Sequence, residues 1–74
     1  LDEEHGIFEI SIPDAWIGKT VGELDIRKEY NVNIMALRCN GVLDMNIASE
    51  TLLGDDQTML VLGNIKNIQK QFHI

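Results

Sequence analysis

The sequence has 74 residues, which is room for one small hydrophobic core and no second domain. Twelve acidic and six basic residues leave a net charge of −6, which argues against nonspecific electrostatic binding to a nucleic acid polymer or an anionic membrane. The apolar runs are too short to cross a bilayer, so we expect no direct membrane insertion. A single cysteine, Cys39, excludes an internal disulfide and favours a reducing, cytoplasmic location.

The N-terminal end divides into two parts by its hydrophobic pattern. Residues 1–6 are acidic and unpatterned, so we expect them to be a linker from an upstream domain that is absent from this sequence. Residues 7–74 then form the folded domain. Its first element is predicted over residues 7–12, where Phe8 and Ile10 alternate with polar neighbours as in a half-buried strand.

A core of this size gains further burial by self-association, and we therefore expect a homodimer. Trp16 is one candidate anchor, because large aromatic residues are enriched at interfaces. The same side chain is equally consistent with a role inside the core. The sequence leaves both interpretations open.

A capping box marks the start of the first helix, since Thr20 is followed three residues later by Glu23. We expect this helix over about residues 21–30. Gly22 weakens it by about 1 kcal/mol relative to alanine, so packing must hold it in place. Asn31 tolerates a left-handed backbone and is expected to end it.

The middle of the chain has the pattern of a β-hairpin. Apolar and β-branched residues predict a strand over residues 32–39. Asn40 and Gly41 follow directly, and an Asn-Gly pair between two apolar runs favours a type I′ turn. We therefore expect residues 42–47 to return antiparallel to the preceding strand.

The last third of the chain predicts one more strand and one more helix. A polar turn at residues 54–57 precedes an apolar strand at 58–62. Asn64 is placed to cap a final helix whose apolar stripe consists of Ile65, Ile68 and Phe72. The predicted order is β-α-β-β-β-α, an α+β fold in which two helices cover one face of a small, antiparallel-rich sheet.

Most familiar chemistry finds no support in the sequence. Residues 18–20 resemble the end of a phosphate-binding P-loop, but Pro13 stands where that motif needs a glycine. His5 and His73 lie at opposite ends without further ligands at zinc spacing, so we expect no metal site. No acid, base and nucleophile converge, and we expect no enzyme activity.

One cluster could form a small nucleotide site. Asp25, Ile26 and Arg27 end the first helix, and Asn33 and Ile34 begin the next strand. Together they offer a guanidinium for phosphate, a carboxylate and an amide for base or ribose, and apolar side chains for a ring. A structural alternative pairs Arg27 with the acidic residue four positions earlier and leaves the amide in a turn. Spacing alone leaves both open.

The chain resembles the C-terminal RCK domain, also called TrkA-C, of regulators of potassium channels and transporters. The resemblance extends from Ile7 over nearly the whole chain. It is carried by four segments, IPDAWIGKT at 12–20, LDIR at 24–27, YNVNIMALR at 30–38 and MLVLG at 59–63.

The resemblance implies a dimeric cytoplasmic regulatory domain that follows an N-terminal Rossmann-type RCK domain in its parent protein. That parent would attach to a membrane potassium transporter or channel subunit. In one branch the domain is similar to a receptor for cyclic di-AMP, which is bound between two subunits and reduces potassium uptake. Carried over by position, the contacts here are Val21, Asp25, Ile26, Arg27, Asn33 and Ile34. The alternative is a nucleotide-free dimerisation and gating-ring module.

Overall fold

Strand β1, His5–Ser11, opens the computed structural model, which describes residues 2–74. Its residues alternate between exposed and half-buried, as the sequence predicts, but it begins two residues before Ile7. The Asp2 carboxylate accepts hydrogen bonds from the backbone N–H groups of Glu4 and His5, at 2.8 and 2.9 Å, and so turns the chain into the strand. Leu1 lies outside the described residues, and the role of residues 1–6 as a linker stays a prediction.

The predicted first helix is two short helices, α1 (Val21–Leu24) and α2 (Ile26–Tyr30). The capping box forms as expected, because the Thr20 hydroxyl accepts from the Glu23 N–H while the Glu23 carboxylate accepts from the Thr20 N–H. The continuous helix over residues 21–30 is wrong. Asp25 adopts a left-handed backbone with φ of 49°, which aspartate tolerates better than most residues.

Strands β2 (Asn33–Cys39) and β3 (Val42–Asp44) form the predicted hairpin. Asn40 and Gly41 have φ angles of 52° and 77°, and two positive values are what a type I′ turn requires. β3 is shorter than the predicted residues 42–47. The Asp44 carboxylate accepts a hydrogen bond from the Asn46 N–H at 2.9 Å and turns the chain away from the sheet.

Strand β4 (Gln57–Asn64) lies in the centre of the sheet and leads directly into helix α3 (Ile65–Phe72). The strand order is β1-β4-β2-β3, with every neighbouring pair antiparallel. The side chain of Asn64 accepts from the Asn67 N–H at 2.9 Å, so the predicted cap is confirmed.

The helices and the core lie on one face of the sheet, which confirms the predicted α+β architecture. Met59 and Val61 of β4 are fully buried beneath Ile68 of α3. Trp16 is 3% exposed and packs against the rings of Tyr30 and Phe72, at centroid distances of 4.9 and 5.4 Å. Trp16 is therefore a core residue of this chain.

Candidate functional site

All six residues predicted as ligand contacts line one surface cavity of about 340 Å³. Helices α1 and α2 contribute Val21, Asp25, Ile26 and Arg27, and the start of β2 contributes Asn33 and Ile34. β3 pairs only with residues 37–39 of β2, so within residues 2–74 no strand flanks the outer side of 33–36. The cavity lies between this uncovered stretch, the two helices and the segment Ile47 to Ser49.

The polar rim of the cavity contains Asp25 and a hydrogen-bonded pair of side chains. Arg27 Nε donates a hydrogen bond to Asn33 Oδ1 at 2.7 Å. The ion pair with Glu23 that the structural alternative required is not formed, because the Glu23 carboxylate is bound to Thr20. Within residues 2–74 no ion pair involves Arg27, so its positive charge is not neutralised by a bonded carboxylate.

The opposite wall of the cavity is made of main chain. The Gly22 N–H donates to the Ser49 carbonyl at 2.8 Å, and the Val21 N–H donates to the Thr51 carbonyl at 3.0 Å. A Cβ atom on residue 22 would lie 2.9 Å from that Ser49 oxygen, closer than real Cβ contacts allow. Gly22 is therefore required by the close approach of residue 49.

Sequence reasoning missed this wall. It treated Gly22 as a weakness of the helix, and it assigned no helix or strand to residues 48–53. The available signal was a glycine just inside a capped helix, which is an unfavourable position unless another segment packs there. The segment that does so is 27 positions away in sequence, and no local pattern identifies it.

The apolar residues of the cavity differ in how much surface they expose to a ligand. Ile26 is 4% exposed, so its side chain packs beneath the cavity and offers little surface to a ligand. Val21 and Ile34 are half-buried and pack against the edge of the core while still lining the opening. Together with Ile47, which is also half-buried and lines the cavity, these side chains form the apolar surface that a planar ring could contact.

A second cavity of about 430 Å³ lies on the other side of the rim. Arg27 and Asn33 line it together with Asp2 and His5 from the N-terminal segment. The His5 ring contacts the Asp2 carboxylate at 2.9 Å, and this bond, with that from the Glu4 N–H, lowers the pKa of Asp2. The Arg27–Asn33 pair is thus shared by both cavities.

The other chemically active groups lie away from this cavity. The Cys39 thiol donates to an Asp56 oxygen at 3.4 Å, and this bond raises the pKa of the thiol. In the part of the chain that the structure describes, no three His, Cys, Asp or Glu side chains are grouped closely enough to hold a metal ion. The described helices also include none with the length and apolar character needed to span a bilayer.

Comparison with known sequences assigns the domain. The profile of the TrkA-C domain family matches residues 7–73. The Ktr system potassium uptake protein C of Bacillus subtilis is 34% identical over 71 residues, which cover 95% of this chain and 32% of that protein. The uncharacterized transporter YfbS of Escherichia coli is 46% identical over 66 residues, 85% of this chain and 11% of that protein. The chain thus spans about a third or less of these relatives.

Comparison with solved structures supports the same fold. The RCK C domain of the potassium transport protein KtrA, in complex with cyclic di-AMP, superposes with a TM-score of 0.82 at 22% identity, covering 97% of this chain and 86% of that one. The RCK_C domain dimer of S. agalactiae BusR, also in complex with cyclic di-AMP, gives 0.71 at 15% identity, with coverages of 95% and 96%. With the profile match over nearly all its length, the chain belongs to the TrkA-C domain family.

Proposed function

We propose that this chain is a regulatory ligand-binding and dimerisation domain of a potassium transport system, and that it binds cyclic di-AMP between two copies to reduce transport. The observation that carries the proposal is the convergence of Asp25, Arg27 and Asn33 on one cavity. Two solved relatives of the same fold are complexes with cyclic di-AMP, which supports this choice of ligand.

The charge distribution supports a phosphate contact at Arg27. A chain with a net charge of −6 repels a dianionic ligand over most of its surface, so binding needs a local cation. Arg27 supplies it, and its bond to Asn33 uses Nε and leaves the terminal nitrogens for phosphate oxygens. Arg27 would therefore bind the phosphate, while the carboxylate of Asp25 and the amide of Asn33 would select the base or ribose.

The size of the cavity supports a ligand shared by two chains. A volume of about 340 Å³ is at the small end of ligand sites, which span roughly 300 to 1,000 Å³. One such cavity suits one nucleotide half of a cyclic dinucleotide. A two-fold ligand on a two-fold dimer then fills two equivalent cavities, giving one ligand per two chains.

The proposal for the whole protein follows from the relatives. In the arrangement we favour, an N-terminal RCK domain of the parent connects this domain to a membrane potassium transporter or channel subunit on the cytoplasmic side. The Ktr relative is named as a potassium uptake protein and is three times longer than the matched region, which supports that arrangement. YfbS is named as a transporter. In the other arrangement, therefore, this domain is part of the same chain as the transporter itself.

Calorimetric titration with cyclic di-AMP, beside cyclic di-GMP, tests the proposal. We expect binding of the first and much weaker binding of the second. Arg27→Ala should weaken binding by about 1.5 to 3 kcal/mol, the range for hydrogen bonds to charged groups. Lys28→Ala is the matched control, since it removes the neighbouring positive charge outside the cavity and should leave affinity unchanged.

The second candidate function is a dimerisation and gating-ring module without a nucleotide of its own. Two observations favour this function. Gly22 offers no apolar side chain to a ligand, and Ile26 is buried. If a folded, dimeric chain gives no detectable heat in calorimetric titration with cyclic di-AMP, this second function should replace the first.

A further inference from the structure

The α2–β2 turn, residues 30–32, joins the two side chains that are bonded at the polar rim. Arg27 lies in α2, and Asn33 is the first residue of β2. Asn31 has a left-handed backbone with φ of 55°, and its N–H donates to the Arg27 carbonyl at 3.0 Å. Val32, which is 2% exposed, returns the chain to the core. The geometry of the rim therefore depends on how firmly this turn is held.

The carbonyl groups of this turn need hydrogen-bond donors from elsewhere in the chain. The last carbonyls of a helix have no donor within it, and α2 is only five residues long. The side-chain amide of Asn67 supplies the donor, because Nδ2 donates to the Tyr30 carbonyl at 2.9 Å and to the Asn31 carbonyl at 3.4 Å. Since carbonyls only accept, the NH₂ group of Asn67 must face the turn.

Asn67 is itself held by the start of α3. Its N–H donates to Oδ1 of the capping residue Asn64 at 2.9 Å, and its own Oδ1 accepts from Gln71 at 3.4 Å. The next residue, Ile68, is fully buried and anchors the helix in the core. The half-buried side chain of Asn67 thus leaves a fixed helix end and reaches the turn with little freedom.

We propose that Asn67 is a positioning residue of the candidate site, and that it holds the α2–β2 turn in the conformation that brings Arg27 to Asn33. Asn67 lines neither of the two cavities that share the rim, so it acts through the turn and not by touching a ligand. A rim ordered in advance loses less conformational entropy when a ligand binds. The inference rests on the proposed function, because it assigns a role in preparing that ligand site.

Asn67→Asp separates this role from a role within α3. Aspartate has nearly the same shape, and its charge is favourable in the first turn of a helix, near the positive end of the dipole. An ionised carboxylate has no hydrogen to donate, so it leaves the Tyr30 and Asn31 carbonyls without this donor. The substitution therefore suits α3 but releases the turn.

NMR of the chain without ligand tests the order of the rim. The heteronuclear NOE of the Arg27 Nε–H group reports picosecond to nanosecond motion of the guanidinium. We expect a high value in the wild type, where this group is bonded to Asn33, and a clearly lower value in both Asn67→Asp and Asn67→Ala. Gln69→Ala is the matched control, since it changes an exposed neutral side chain of the same helix and should keep the wild-type value.

Calorimetric titration with cyclic di-AMP gives a second measurement. Asn67→Ala leaves the net charge unchanged and should weaken binding about two- to tenfold, the range for one neutral hydrogen bond, whereas Gln69→Ala should not. In an Asn33→Ala background the bonded pair is already absent, so Asn67→Ala should weaken binding no further. An effect on general stability would instead add to the loss from Asn33→Ala.

Two results would overturn the role of Asn67 and leave the proposed function standing. One is an Arg27 side chain that is as ordered in the folded Asn67 variants as in the wild type, and if one variant does not fold, the other decides. The second is an additive loss of affinity in the double variant. Absence of binding to the wild-type chain would contradict the proposed function instead, and the NMR comparison, which needs no ligand, would still decide whether Asn67 orders the rim.

Discussion

Four main-chain hydrogen bonds join residues 18–22 to residues 49–53, and of these residues Val21, Gly22 and Ser49 line the candidate cavity, whereas a side-chain bond from Arg27 to Asn33 lies on its polar rim. The backbone wall has a fixed shape, because main-chain bonds tie both segments whatever their side chains. The rim carries the charge and can exchange its partner for a ligand. In this small domain the backbone wall therefore limits the shape of a ligand that the cavity can hold, and the rim supplies the polar contacts to that ligand.

The largest effect should come from filling the wall. Gly22→Ala adds a methyl group 2.9 Å from the Ser49 carbonyl oxygen, and this conflict should exceed the gain in helix propensity. We expect a loss of about 1 to 3 kcal/mol in the free energy of unfolding, measured by chemical denaturation. Gly54→Ala is the control, since its Cβ would meet only the movable carboxylate of Asp56. Equal stability of the two variants would contradict the backbone wall.

A smaller loss should follow at the start of α1, where the wall joins the helix. Thr20→Ala removes the oxygen that accepts from the Glu23 N–H and should lower the free energy of unfolding by about 1 kcal/mol. Thr20→Ser keeps the hydroxyl and should remain near wild type in the same denaturation experiment. A serine variant as unstable as the alanine variant would mean that the methyl group, and not the cap, matters here.

The rim should respond in affinity more than in stability. Asn33→Ala removes the bond to Arg27 at a partly exposed position, so we expect stability to change by less than about 0.5 kcal/mol. Cyclic di-AMP affinity should fall by about 0.5 to 1.5 kcal/mol because the rim loses an amide and an ordered guanidinium. Asn46→Ala, on an exposed turn, should change neither quantity. A stability loss larger than the affinity loss would reverse the roles of wall and rim.

The smallest effect concerns pH. Hydrogen bonds from the backbone N–H and the hydroxyl of Thr20 lower the pKa of Glu23 below its ordinary value of 4.5. The stability from the charged form is therefore present above that value and is lost as the pH falls through the lowered pKa. Glu23→Gln keeps an acceptor for the cap but cannot titrate, so its melting temperature should fall less between pH 6 and pH 3 than that of the wild type. Identical pH profiles would contradict this role.

Local signals in the sequence were sufficient for most of the fold. Alternation predicted β1, the spacing of Thr20 and Glu23 predicted the cap, and Asn40 with Gly41 predicted the hairpin turn. The break at Asp25 was not predictable in this way, because the residues on both sides of it are compatible with a continuous helix. Burial of Ile26 in the core accompanies the break, and that depends on tertiary packing.

The candidate site was predictable in its side chains and not in its wall. Spacing left open whether Arg27 and Asn33 meet, the resemblance to the family placed both in one site, and the structure brings them to 2.7 Å. The contact between Gly22 and Ser49 joins segments far apart in sequence and depends on the path that the chain takes after β3. The carbonyl that requires a glycine becomes apparent only once that path is known.

The stoichiometry of cyclic di-AMP binding tests the central claim most directly. In calorimetric titration of the wild-type chain, at a concentration where sedimentation shows the dimer, we predict saturation at one ligand per two chains. Binding should also raise the melting temperature of the chain. Ligand at a hundredfold excess over the dissociation constant adds about 2.7 kcal/mol to the free energy of unfolding. Saturation at one ligand per chain, or no heat from a folded dimer, would contradict the shared site.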